Sequence, residues 1–244
     1  MKKLVTCFLL GSFMFYSCAE EDQPPVDNFV PLPWDHPLIF DYGYTVDSYL
    51  LLTTHMYVSN PFKEVKDRTL IVAFASTAGT SDDLVYQLSP LADEYDAIVV
   101  SPQIDVFFDK GWTPYDQLID SLIASEAVNA DQVYLSGYSS GAGSAFRKGI
   151  EYGKEKIFGL LLLATGRAVG TFDEKRTWSE LPKLCQCTGT IDFTYEANKL
   201  LHENLLQYGV DAELIEVPNY GHGDMLSKDY LEQQIECFEF LNSN

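Results

Sequence analysis

Basic residues and histidines are scarce in this chain. Its 244 residues include 16 Lys and Arg and 4 His against 36 Asp and Glu, a formal net charge of −20. So acidic a surface repels nucleic acid and anionic membrane faces, and binding to either through charge is excluded. Cysteine is also sparse, with 5 residues at positions 7, 18, 185, 187 and 237. Cys185 and Cys187 stand alone as Cys-x-Cys, with no second pair and no nearby histidine, so no zinc site is implied. No dinucleotide fingerprint and no phosphate-cradling loop is present, and no cofactor is implied. There is no internal repeat and no low-complexity segment. The N-terminal apolar run, Leu4 to Tyr16, is too short to cross a bilayer.

That run follows Met1-Lys2-Lys3, and the two together read as a secretory leader over residues 1–17. Phe15-Tyr16-Ser17-Cys18 resembles a bacterial lipobox, with a small residue just before the cysteine and Phe15 where leucine is more usual. Cleavage before Cys18 leaves a lipidated N-terminal cysteine, and two or more acyl chains anchor a protein stably to a membrane. Residues 18–37 are acidic and Pro-containing, without helix or strand period, and read as a tether. The expectation is a cell-envelope lipoprotein of the outer membrane or cell surface. The remaining residues, 38–244, suffice for one sizeable α/β core and not for two domains.

Within that core the chain alternates apolar runs with helical periodicities. The strand candidates are Tyr44–Tyr57 (one long strand or two), Leu70–Ala75, Ala97–Ser101, Gln132–Ser136, Phe158–Leu163, Leu184–Cys187 and Ala212–Val217. The helix candidates between them are Leu84–Tyr95, Tyr115–Val128, Ala142–Tyr152, Tyr195–Tyr208 and Lys228–Leu241. Such alternation implies a mostly parallel central sheet with helices on both faces.

Gly137-Tyr138-Ser139-Ser140-Gly141 lies between one such strand and helix. In that context Gly-x-Ser-x-Gly is a nucleophile elbow, a tight turn that lifts the serine hydroxyl clear of the backbone. Asp192 follows the strand candidate Leu184–Cys187 in Gly189-Thr190-Ile191-Asp192. His222 follows Ala212–Val217 in Gly221-His222-Gly223. The other histidines, His36, His55 and His202, lie in a Pro-rich stretch, a strand and a helix. Each of the three candidates sits past the carboxyl end of a strand, the edge where open parallel sheets form sites. A serine hydroxyl needs a base within reach. His222 would take its proton, and Asp192 would orient and charge-stabilise the imidazole. A more modest role for Asp192 is helix N-cap of the segment after it. The oxyanion amides expected are those of Ser140, just past the nucleophile, and Thr77, in the loop after Thr69 to Ala75. Ser81 or Asp82 would cap the helix after that loop.

The order Ser139, Asp192, His222, with Gly79-Thr80-Ser81-Asp82-Asp83 and Gly189-Thr190-Ile191-Asp192, resembles the α/β-hydrolase superfamily. The similarity is to its compact branch of feruloyl esterases, acetyl xylan esterases and polyhydroxybutyrate-depolymerase-like enzymes. Tyr208 to Glu213 followed by Gly221-His222 adds to it, and the resemblance spans residues 65–244. Ala75-Ser76 stands where those enzymes carry His-Gly, which puts a Cβ where the backbone approaches substrate. The resemblance implies an α/β-hydrolase fold and a serine esterase acting on carbohydrate-linked or other polymeric esters. Cap domains of the superfamily enter after the sixth strand, and the stretch Ala164 to Pro182 is too short for one.

Phe107, Phe108, Trp112 and Tyr115, near another strand end, are candidates for stacking on a sugar or phenolic ring, as is Trp178. Each has the alternative of packing beneath its own loop. For Cys185, Cys187 and Cys237 three buried thiols are expected, with a bridge from Cys237 to the strand as the less favoured option. Two alternatives accompany the esterase expectation. One is a non-catalytic surface binding protein on a hydrolase fold, and the other, among enzymes, is a peptidase or thioesterase.

Overall fold

The computed structural model describes residues 39–46, 50–59, 66–76, 81–102, 113–124, 127–165, 178–226 and 230–243. The leader, Cys18 and the tether lie outside the described residues. Eight strands are present among those described: β1 (Ile39–Val46), β2 (Leu50–Val58), β3 (Arg68–Phe74), β4 (Ala97–Pro102), β5 (Val128–Tyr138), β6 (Gly159–Leu163), β7 (Lys183–Gly189) and β8 (Ala212–Val217). Five helices alternate with them: α1 (Ser81–Glu94), α2 (Thr113–Ala124), α3 (Ser140–Tyr152), α4 (Tyr195–Gln207) and α5 (Leu231–Asn242). All eight strands join one sheet in the order β1-β2-β4-β3-β5-β6-β7-β8. β1 and β2 form an antiparallel hairpin that pairs antiparallel with β4, and every other pairing is parallel.

The central strands carry apolar runs that supply both faces, such as Leu70–Phe74 and Leu160–Leu163, because both faces of the sheet are covered. Side chains alternate faces along a strand. Leu70, Val72, Phe74, Leu160 and Leu162 point to a layer with Leu118, Phe146, Leu201 and Leu205 from α2, α3 and α4. Ile71, Ala73, Leu161 and Leu163 point to the opposite layer, with Leu84, Leu88, Phe238 and Leu241 from α1 and α5.

After β3 the chain crosses to β4 on one side and later returns to β5 on the other. The strand order therefore reverses at the carboxyl ends of β3 and β5, the switch point where ligands settle in sheets of this kind. Ser139 leaves β5 at that edge.

Several boundaries differ from the sequence expectation for identifiable reasons. The segment expected as one strand or two over Tyr44–Tyr57 is a hairpin that begins at Ile39, with Ile39 opposite Tyr57. The helix expected to reach Val128 ends at Ala124, since Val128 opens β5 opposite Arg68. Strand pairing there outweighs the helical periodicity. Ser81 is the first residue of α1, and its hydroxyl lies 2.6 Å from Nδ1 of the buried His55 on β2. The three expected buried thiols are not what forms. Cys185 on β7 and Cys237 on α5 are a disulfide, and Cys187 alone is a free, buried thiol. The reason is tertiary, because α5 packs on β7 and brings the two Cα atoms to 5.4 Å. Trp178 is no stacking platform. It is buried in the core beside Tyr208, with ring centroids 5.9 Å apart.

Candidate active site

The elbow is built from glycine and strain. Ser139 has φ 55° and ψ −119°, a region that a side-chain-bearing residue enters only under constraint. Two packing features hold it there. The Ser139 amide donates to the Leu163 carbonyl at 2.9 Å, which ties the turn to the end of β6. A Cβ on Gly137 would meet the Gly141 carbonyl carbon and oxygen at 2.5 Å, and one on Gly141 would overlap the Phe74 carbonyl. Only glycine at these two positions lets the start of α3 rest on the end of β3.

The other two side chains arrive on adjacent loops. Past β7, Asp192 is buried, and its Oδ1 accepts the Thr194 amide at 2.7 Å and the Thr194 hydroxyl at 2.8 Å. Thr194, not Asp192, is the cap residue of α4. Past β8, His222 is partly buried and presents Nδ1 to Asp192 Oδ2 at 2.8 Å and Oδ1 at 3.0 Å. A carboxylate only accepts, so Nδ1 carries the proton and Nε2 is left with its lone pair. Nε2 lies 2.9 Å from Ser139 Oγ, at donor–acceptor distance for the serine hydroxyl.

The two loops are fastened to each other. Thr190 N–H donates to the Val217 carbonyl at 2.9 Å, Ile191 N–H to the Tyr220 carbonyl at 3.1 Å, and Asn219 N–H to Thr190 Oγ1 at 2.9 Å. A Cβ on Gly189 would overlap the Tyr220 carbonyl, so the Gly-Thr of this motif is a joint between the aspartate and histidine loops. Below the histidine, Asp224 Oδ2 accepts the Gly221 amide at 2.7 Å. The Tyr138 hydroxyl donates to the His222 carbonyl at 2.8 Å, with ring centroids 5.1 Å apart. Burial, then the nearby charges of Asp192 and Asp224, push the Tyr138 phenol up to about 12, so it stays a donor through the neutral range.

The structure thus brings Ser139, Asp192 and His222 into one chain of hydrogen bonds. Ser140 opens α3, so its amide belongs to the positive end of that helix. Ala75 and Ser76, where the resemblance expects His-Gly, are both buried at the end of β3. Thr77, Phe107, Phe108 and Trp112 lie outside the described residues, and Tyr115 falls on α2 with its side chain outside them.

Three contributors were not singled out from sequence. Tyr138 and Thr194 hold the histidine loop and the carboxylate. Phe193 packs its ring against His222, with centroids 4.4 Å apart. Phe193 is adjacent to Asp192, and an aromatic flanking a candidate acid on a loop was the available clue.

The sequence matches no protein-family model and no curated protein. Solved structures do resemble it. The fluorophosphonate-binding serine hydrolase FphF of Staphylococcus aureus, with substrate bound, superposes with a TM-score of 0.64 at 13% identity, over 84% of this chain and 98% of that one. Esterase 2 of Thermogutta terrifontis phosphorylated by paraoxon gives 0.63 at 16% identity, over 88% and 100%. An esterase of Pyrobaculum calidifontis gives 0.67 at 13% identity, over 98% and 92%. At such identities the likeness speaks for architecture alone, and it agrees with the strand order and switch point above. The chain has the α/β-hydrolase fold, and no large cap domain is present among the described residues.

Proposed function

We propose that this protein is a serine hydrolase that cleaves carboxylic esters through an acyl-enzyme, with Ser139 as nucleophile, His222 as base and Asp192 as its orienting acid. The observation that carries this reading is the 2.9 Å contact of His222 Nε2 with a serine held at positive φ. Binding alone has no use for a strained serine aimed at an imidazole whose other nitrogen is locked on a buried carboxylate.

In the first half-reaction Ser139 Oγ attacks the ester carbonyl carbon while its proton moves to His222 Nε2. The negative charge that develops on the carbonyl oxygen is met by the amides of Ser140 and Thr77. Collapse of the intermediate breaks the carbon–oxygen bond to the alcohol, which leaves with the proton from Nε2. Water then loses a proton to His222 as it attacks the acyl-enzyme, and the acid departs as Ser139 Oγ regains that proton. Asp192 keeps Nδ1–H in place through both halves.

The substrate class proposed is an ester on a carbohydrate or other polymer. Two features support it: the connection from β6 to β7 has no room for a large cap, and the motifs quoted above resemble the carbohydrate-ester branch. Cys18 is proposed as a lipidation site that anchors the enzyme in the cell envelope, at the outer membrane or cell surface, with residues 18–37 as its tether.

The test is hydrolysis of short-chain p-nitrophenyl esters by the soluble form that starts after Cys18, beside Ser139→Ala. The expected result is turnover by the parent and a loss of at least about a thousandfold in the variant. A fluorophosphonate probe should label the parent alone. A folded parent that neither hydrolyses these esters nor takes the probe would sink the reading in favour of a binding protein.

A further inference from the structure

Phe193 is 80% exposed and Ile191 is 67% exposed, and both flank the buried Asp192 in the loop after β7. Large apolar side chains this open are worth explaining when they gather beside reacting groups. Neither is needed by the core. Phe193 is held in place even so, because its ring lies 4.4 Å from the His222 ring at an interplanar angle of 46°. One side of the phenyl ring rests on the imidazole and the remainder faces solvent.

We infer that Phe193 is a stacking platform for the alcohol half of the substrate, selecting esters whose alcohol carries a ring. This rests on the ester-hydrolase reading of the same site. The two halves of an ester separate spatially around Ser139. The carbonyl oxygen turns to the amide at the start of α3. The leaving oxygen must turn to His222 Nε2, because that nitrogen returns the proton to it. A group attached to the leaving oxygen therefore runs out past the imidazole, and the exposed face there is Phe193, with Ile191 two residues before it. Aryl rings stack on such a face, and so do the apolar C–H faces of pyranose rings; the shared chemistry is a flat, partly apolar ring. Covering about half of a phenyl side chain is worth on the order of fivefold to tenfold in affinity.

Two isomeric esters separate the alcohol side from the acyl side. Benzyl acetate carries its ring on the alcohol, and methyl phenylacetate carries it on the acid. Acetylated methyl xyloside adds a sugar ring on the alcohol. Each is assayed with the parent, Phe193→Ala and Phe193→Tyr, and variant-to-parent ratios cancel the intrinsic reactivity of each ester. Because Phe193 is so exposed, the alanine variant should fold, and its fluorophosphonate labelling rate measures any effect of the lost ring on Ser139 and His222, so that each ester's loss is read relative to it. The expected result for Phe193→Ala is a loss of about fivefold to tenfold in kcat/KM on benzyl acetate, carried by KM. Methyl phenylacetate should lose no more than fluorophosphonate labelling does, so that the excess loss falls on benzyl acetate alone, and Phe193→Tyr should restore benzyl acetate. A parallel loss on the xyloside extends the platform to sugars, and an unchanged xyloside restricts it to aryl rings. Equal losses on the two isomers, or no loss on any ring-bearing alcohol, overturns the platform while the parent's activity upholds the esterase. A parent inactive on every ester overturns both.

Discussion

Gly189→Ala is the sharpest test of how this site is assembled. The added Cβ would overlap the Tyr220 carbonyl, a backbone atom that cannot rotate aside. One loop has to retreat. They are fastened by the hydrogen bonds of Thr190, Ile191 and Asn219, so retreat strains or breaks some of these. Tyr220 is two residues from His222, and Gly189 is three residues from Asp192. A displacement between them is therefore delivered to the 2.8 Å contact of His222 Nδ1 with Asp192 and the 2.9 Å contact of Nε2 with Ser139. Misplacing reacting groups by about 1 Å costs on the order of a hundredfold in rate. Overpacking of this kind costs about 1–3 kcal/mol of stability, roughly 2–12 °C in melting temperature for a chain of this size. The expected outcome is a folded protein with kcat on p-nitrophenyl acetate down about a hundredfold and fluorophosphonate labelling slowed in proportion. Gly143→Ala on α3 is the control, since a Cβ there meets nothing within 4 Å. That variant should keep its rate and gain up to about 1 kcal/mol from helix propensity. A Gly189→Ala protein that retains the parent's kcat within about threefold would refute the view that this glycine joins the two loops.

Three further outcomes follow from the same structure. Tyr138→Phe deletes the bond to the His222 carbonyl, so kcat on p-nitrophenyl acetate should fall about fivefold with KM unmoved, because a lost hydrogen bond of this kind is worth about 1 kcal/mol; a change confined to KM would mean that Tyr138 meets substrate instead. The Cys185–Cys237 bridge closes a separation of 52 residues, a constraint worth roughly 4 kcal/mol, so Cys185→Ala with Cys237→Ala should lower the melting temperature by roughly 10 °C. The denatured, unreduced parent starting after Cys18 should titrate one thiol, Cys187, and three would disprove the bridge. Stability should also decline in alkali. Burial pushes Tyr134, Tyr138 and the Cys187 thiol up to about 12, and raises Tyr57 and Tyr230 as well. As pH rises past their ordinary values, the unfolded chain releases protons that the folded one keeps. The unfolded state is thereby favoured, by up to about 1.4 kcal/mol per pH unit for each group. Urea midpoints at pH 8, 9, 10 and 11 should fall steadily above pH 9, and a flat series would contradict the burial of these groups.

Much of the fold could be read from the chain because its signals are local. The β3 run is apolar from Leu70 to Phe74, and β8 begins and ends where its pattern does. The elbow announces itself by two glycines whose necessity is confined to one turn. The edges were less legible. The helix before Val128 keeps its apolar periodicity right up to the residue where β5 takes over, and only pairing with Arg68 decides the boundary. Trp178 looked like a loop aromatic until the core beside Tyr208 enclosed it.

The sequence by itself determined the class of fold and the three candidate side chains, Ser139, Asp192 and His222, because each is marked by its own turn chemistry and by the strand before it. Tertiary structure decided how they meet. The partnership of Cys185 with Cys237 depends on α5 lying over β7, and the joining of the aspartate and histidine loops depends on β7 and β8 being neighbours in the sheet. Tyr138 reaches the His222 carbonyl across 84 positions of sequence, and Phe193 stays 80% exposed while His222 holds one side of its ring. Distances of that kind are set by which strands pair and which helices cover them, and no local pattern of residues encodes them.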